Sequence, residues 1–231
     1  MDISKLNSDE FVEQVIKEHK KRNTQEFYET QRIRKKENEF ITMELRNAGF
    51  KVSDLFDLIN FKQTEFGYIN LLLNLLDSEK VTDPIMKDGI IRAITVKKAK
   101  GIAEKKLLEY YNCLTTEREK ELIGWSIGNW FEHLYSESYF DQIMKISANK
   151  KNGMSRQMFV LALGKTKNHK SDAEKLLLEL TFDKDVALHA IISLGKLKSK
   201  KSIKRLTELI NDKNKTIKKE ANKALNKITA E

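Results

Sequence analysis

Four histidines (His19, His133, His169 and His189) and one cysteine (Cys113) are the side chains best suited to metal or nucleophilic chemistry in this chain of 231 residues. A metal site needs ligands a few positions apart on one turn or loop, and these histidines stand far apart without that spacing. No glycine-rich phosphate loop is present, and Cys113, beside Tyr110, Tyr111 and Leu114, reads as a packed thiol. His189 reads as a helix-face or groove residue. The expectation is a protein with no catalytic residue, no metal and no cofactor, hence not an enzyme.

Two groups remain that suit binding. One is the aromatic set Trp125, Trp130, Phe131, His133, Tyr135, Tyr139 and Phe140, which holds both tryptophans of the chain. Helix packing needs bulk at most of these positions, so a shared core is favoured over a stacking platform. Trp125, Trp130 and Tyr135 are retained, with His189, as candidate binding residues. The other group is the basic end: residues 196–227 carry 12 Lys or Arg against three acids, an excess equal to the +9 of the whole chain. Lys201, Lys204, Arg205, Lys219, Lys223 and Lys227 are its candidate surface, with a solubilising cap favoured over an anion-binding face.

These groups must be positioned by helices. The chain is 40% apolar and 33% charged, with 9 Gly and a single Pro, too little turn punctuation for a sandwich or barrel. An all-α fold is expected. The longest nearly apolar run, Ile69 to Leu76, is far short of the roughly 18 residues that cross a bilayer, so no membrane partner is expected. A lone cysteine and a start without a basic patch and apolar stretch point to the cytoplasm.

A repeat sets the register of those helices. A small residue, then Ile or Leu, then Gly, Thr or Asn recurs as Ala93-Ile94-Thr95, Ser126-Ile127-Gly128, Ala162-Leu163-Gly164, Ser193-Leu194-Gly195 and Ala224-Leu225-Asn226. The steps are 33, 36, 31 and 31 residues, about one helix hairpin each. The small residue admits a close neighbour, the Ile or Leu fills the layer between repeats, and the Gly or Asn is expected to take a left-handed cap conformation. Asp83-Pro84 opens the first copy as N-cap and first helical residue. In the last copy Ile217, Ala221, Ala224, Leu225 and Ile228 share a stripe opposite Lys219, Lys223 and Lys227.

The run Asp83-Pro84-Ile85-Met86-Lys87-Asp88-Gly89-Ile90-Ile91-Arg92-Ala93-Ile94-Thr95 resembles a helix of the short bacterial HEAT repeat, also found in phycobilin lyases, whose usual form is D-P-x-V-R-x-x-A-A-x-A-L-G. The resemblance covers about residues 64–231 and implies a right-handed α-solenoid of helix hairpins. It also implies a ladder along the stack, with Lys87, Lys120, Arg156 and Lys218 as rungs and Asp83 and Asp212 as partners. A non-enzymatic scaffold binding a protein partner is the leading functional expectation. Two alternatives follow from relatives of HEAT type. Trp130 with Asp141 is similar to the Trp and Asp of HEAT-like alkylpurine DNA glycosylases, but without their spacing. A nucleic-acid-binding protein or glycosylase is therefore the runner-up, and a lyase or chaperone for a bilin-bearing protein the third reading. Glu132-His133 and His189-Ala190 are faintly similar to the His-Glu pairs of HEAT-type deoxyhypusine hydroxylases, without carrying a metal site.

The N-terminal third departs from the repeat, and residues 1–63 read as a helical cap ahead of the array at 64–231. Ser8 or Asp9 caps a helix bearing Phe11, Val12, Val15 and Ile16, the polar stretch from Lys17 to Glu26 interrupts it, and Thr24 restarts it until Gly49 ends it. A hairpin then follows, with Ser53 capping Leu55 to Phe61 and Thr64 capping the run from Phe66 to Leu76.

Overall fold

A computed structural model describes residues 8–60 and 66–230, and among them every regular element is helical. The elements are α1 (Ser8–Asn47), α2 (Asp57–Asn60), α3 (Phe66–Leu76), α4 (Pro84–Ala93), α5 (Glu104–Cys113), α6 (Glu117–Glu119), α7 (Trp125–His133), α8 (Phe140–Ala148), α9 (Gln157–Leu163), α10 (Lys170–Leu180), α11 (Ala187–Leu197), α12 (Ile203–Leu209) and α13 (Lys215–Thr229). A wide π-type turn over Lys120–Gly124 joins α6 to α7 without a break. The fold is an all-α, HEAT-like solenoid.

Five hairpins make the stack: α3/α4, α5/α7, α8/α9, α10/α11 and α12/α13. Their second helices form a continuous inner layer, because α4 packs on α7, α7 on α9, α9 on α11 and α11 on α13. The first helices cover that layer from outside. The repeat register read from the sequence falls on this layer: Ala93, Ser126, Ala162, Ser193 and Ala224 are all buried.

The motif glycines have a different cause from the expected left-handed cap. Gly164 closes α9 with φ −66°, and Gly128 and Gly195 lie inside helices. A Cβ on Gly164 would stand 2.9 Å from the Cα of Ser193, and one on Gly195 would stand 2.9 Å from the Cα of Ala224. A Cβ on Gly128 would meet the Phe159 and Met158 side chains, whereas Gly164 and Gly195 receive the small residue of the next repeat, backbone against backbone. Ser193 adds a bond there, its hydroxyl donating to the Val160 carbonyl at 2.8 Å.

The expected ladder is present at one rung. Arg156 is fully buried and donates to the carbonyls of Gly153 (3.0 Å) and Ser147 (3.2 Å) and to the Asp183 carboxylate of the next repeat (2.6 Å). Burial alone would raise the Asp183 pKa, but the bonds from Arg156 and from the Asp185 amide, with the nearby charge, hold it below the ordinary carboxylate value. At the other positions Lys87 lies over the Tyr110 ring, 5.3 Å from its centroid, and Lys218 is exposed. Asp212 accepts from the Asn214 amide rather than from a rung.

Asp83 caps α4 as expected, accepting from the amides of Ile85 and Met86. Its cationic partner comes from outside the repeats. Arg34 of α1 grips both Asp83 oxygens at 3.2 Å, and Glu37, one turn on, accepts from the amides of Thr82 and Asp83 at 2.9 Å each. The end of α1 thus clamps the loop that starts α4.

Two readings of the N-terminal third need correction. Thr24 does not restart a helix, since α1 is continuous and the Thr24 hydroxyl donates back to the Lys20 carbonyl. At the start of the next segment it is Asp54, beside Ser53, whose carboxylate accepts an amide, that of Phe56 at 2.7 Å, while the Ser53 amide donates to the Asp57 carboxylate. Gly49 does end α1 at φ 91°. The Ser8, Asp9, Phe11, Val12, Val15 and Ile16 side-chain readings, and those on Phe61 and Thr64, lie outside the described residues.

Gly195→Ala would raise helix stability by up to about 1 kcal/mol were Gly195 an ordinary helical position. Because the added Cβ meets backbone, the variant should instead lose roughly 1–3 kcal/mol in chemical denaturation. Unchanged or increased stability would contradict the close contact. Arg156→Met should cost about 3–5 kcal/mol by the same measurement, with Arg156→Lys restoring little because one ammonium cannot reproduce the three-way fork.

Candidate functional site

The sequence candidates separate once their surroundings are known. Trp130 is fully buried and donates its indole N–H to the Ile94 carbonyl at 3.0 Å, so it ties α7 to α4 and leaves the candidate surface. Its rings pack edge-on with Phe131, and Phe131 in turn packs with Phe159. Asp141 is exposed on the outer helix α8, so it does not form a site with Trp130. Tyr135 packs against the same core and donates its hydroxyl to Glu137 at 3.1 Å; burial pushes its pKa up to about 12. Glu137 also accepts from the Thr166 hydroxyl and the Lys167 amide, so this pair clamps a loop between repeats. Cys113 is exposed rather than packed: it ends α5 on the outward side while Leu114 turns inward.

The basic candidates are unequal. Lys201 pairs with Glu174 at 3.0 Å, and Lys223 pairs with Glu220 at 2.6 Å. Arg205 is engaged three ways: its guanidinium lies 3.8 Å over the Phe182 ring, donates to Thr181 and pairs with Glu208. Lys204, Lys219 and Lys227 are exposed.

A surface missed by the sequence reading emerges from the same register. Three residues before the end of each motif stand Arg92, Trp125, Leu161, Ile192 and Lys223. Trp125, Leu161 and Ile192 are half-buried and, among the described residues, belong to neither packed core cluster. Four positions further on, Lys196 lies on α11 on the same helix side as Ile192, and Lys165 lies in the turn that follows α9. Both lysines meet the Glu132 carboxylate of α7, at 3.1 and 3.0 Å. Lys165 also donates to the Glu132 carbonyl. Burial works against ionisation of Glu132, but the two ammonium groups hold its pKa below the ordinary value. One carboxylate of α7 thus gathers arms from the next two repeats, and the inner helices it ties together carry Trp125, Leu161 and Ile192 at one register position. The sequence signal was available: aligning the five copies at that position gives cation, Trp, Leu, Ile, cation.

The two layers differ most toward the C-terminal end, where the inner helices carry few acids. Inner helices α9 and α11 contain no acid, and α13 has five lysines against the single Glu220. The outer helices α8, α10 and α12 carry both signs, with Asp141 and Lys145 on α8, Asp172, Glu174 and Glu179 beside Lys170 and Lys175 on α10, and Glu208 beside Lys204 and Arg205 on α12. On the outer side, Phe182 is 73% exposed under Arg205, beside a shallow groove lined also by Leu178, Lys204 and Glu208.

His189 of α11 is half-buried, and its Nδ1 is buried without a hydrogen-bond partner. Burial depresses its pKa to about 4. Among the described residues no group of three or more His, Cys, Asp or Glu is arranged to hold a metal, and no helix is long and apolar enough to cross a membrane.

Residues 173–231, which span α10 to α13, match the family model for HEAT repeats. Over these residues the chain is of HEAT-repeat type. No curated protein and no solved structure matches it. HEAT repeats are commonly protein-interaction scaffolds, and the fold is typically non-enzymatic.

His189 is neutral in the folded protein, whereas an unfolded chain protonates it below its ordinary value of about 6.5. Its contribution is therefore complete above pH 6.5 and is lost as pH falls toward 4. Wild-type protein should lose about 2 kcal/mol more than His189→Gln between pH 6.5 and 4.5 in denaturant titrations. Parallel pH profiles would show that the imidazole is freely solvated.

Proposed function

We propose that this protein is a non-enzymatic scaffold that binds a protein partner through its inner helical face, in the cytoplasm. The observation that carries the reading is the row Trp125, Leu161 and Ile192, apolar side chains at one register position of three successive inner helices and outside the packed core. Such a row leaves apolar surface in water on a rigid layer, which is what a docking face requires. Residues 1–63 serve in this reading as a cap on the array of 64–231, with Arg34 and Glu37 holding the first repeat in place.

A second reading, nucleic-acid binding, is favoured only by the exposed lysines of α13. It predicts affinity that falls steeply with salt, whereas apolar docking on the row is less sensitive. The test is affinity capture from a nuclease-treated extract of the source cells, comparing wild type with Leu161→Asp. At least one protein should be retained by the wild type and lost from the variant. Identical sets of captured proteins, or a complex that nuclease removes, would contradict the scaffold reading.

A further inference from the structure

The apolar row continues at its C-terminal end into a lysine surface, with no acid between them on the inner helices except the paired Glu220. From α7 to α13 the register position reads Trp125, Leu161, Ile192 and then Lys223, with Lys219 and Lys227 one turn to either side of Lys223. Lys219, Lys223 and Lys227 are all exposed. A ligand lying across the inner helices thus meets apolar contact first and positive charge second.

Building on the scaffold reading, we propose that the occupant of the inner face is an acidic, amphipathic segment of a partner protein. Its apolar side chains lie on Trp125, Leu161 and Ile192, and its carboxylates lie toward Lys219, Lys223 and Lys227. Charge complementarity selects this occupant. The inner helices α9, α11 and α13 offer cations and apolar groups against the single, paired Glu220. A basic segment would find no free carboxylate there, and Glu132 is already shared by Lys165 and Lys196. A nucleic acid would pair with the lysines but leave Leu161 and Ile192 without a use. The lysines set on-rate and polarity, and the apolar row supplies the area removed from water.

The test is selection of random displayed peptides on the immobilised full-length protein. Enriched peptides should carry spaced apolar residues followed on one side by Asp or Glu. Their affinity should fall about tenfold or more for Lys219→Glu/Lys223→Glu/Lys227→Glu, whose sites are exposed and spare the core. Peptides with those acids changed to Lys should bind that triple variant in preference to the wild type. Ile192→Asp, checked by circular dichroism for an intact helical fold, should abolish binding of both.

Neutral or basic consensus peptides, no enrichment over bare support, or binding that ignores both variants would overturn the proposal. A random-sequence duplex DNA or single-stranded RNA that binds this face and is lost from Ile192→Asp would overturn it too. The two readings fail differently. Peptides that bind but ignore these variants sink the acidic-segment proposal and leave a scaffold using another face, whereas capture of no protein partner sinks the scaffold reading itself.

Discussion

At Gly164 against Ser193 and Gly195 against Ala224, consecutive inner helices come so close that no side chain fits between their backbones. Every later feature depends on that approach. It sets the spacing of α9, α11 and α13, and therefore where a side chain at a given register position emerges on the inner face. It also leaves the residues beside the contact, Leu163 and Leu194, fully buried as the filling of each layer. A larger residue at these points would push the helices apart and separate the row Trp125, Leu161 and Ile192.

Polar ties then stabilise a stack that apolar contact alone would leave free to slide. Arg156 bridges from the carbonyls around its own repeat to Asp183 in the next. Ser126 donates to the buried Asp88, and the Tyr111 and Ser155 hydroxyls meet at 2.9 Å. Each joins groups whose burial without a partner would be costly, so each favours one register over its alternatives. The terminal unit is packed by a smaller cluster of its own, Leu206, Leu209, Ala221, Ala224 and Ile228 with Ile191 of α11. Helix α11 joins the last hairpin to the stack, since its Ile191 packs in this cluster and its Ala190 and Leu194 pack in the main core.

Much of the architecture was legible in the sequence because a repeat must meet the same packing demand in every copy. The small residues at 93, 126, 162, 193 and 224 could be aligned without a structure, and all are buried. What misled was the reason for a residue, more than its place. The motif glycines read as left-handed caps but serve close approach, a distinction that depends on a neighbour about 30 positions away. Asp83 read as the partner of a repeat cation, yet Arg34 from α1 reaches it, a long-range contact with no local signal. Trp125 and Trp130 read alike, though five positions of helix separate a half-buried ring from a fully buried one. The inner row was legible in principle, but it contains no residue type that draws attention to chemistry.

The central claim is that close backbone contact makes the inner helices one mechanical unit on which the binding face is displayed. Native-state hydrogen exchange tests it most directly, because amide protection reports the free energy of each opening separately. Buried-core amides of α9, α11 and α13 should exchange through one common opening, with the same protection free energy and denaturant dependence, despite the smaller cluster under α13. Exchange of α13 at markedly lower free energy than α9 and α11 would show a terminal hairpin that opens by itself, contradicting a single rigid face.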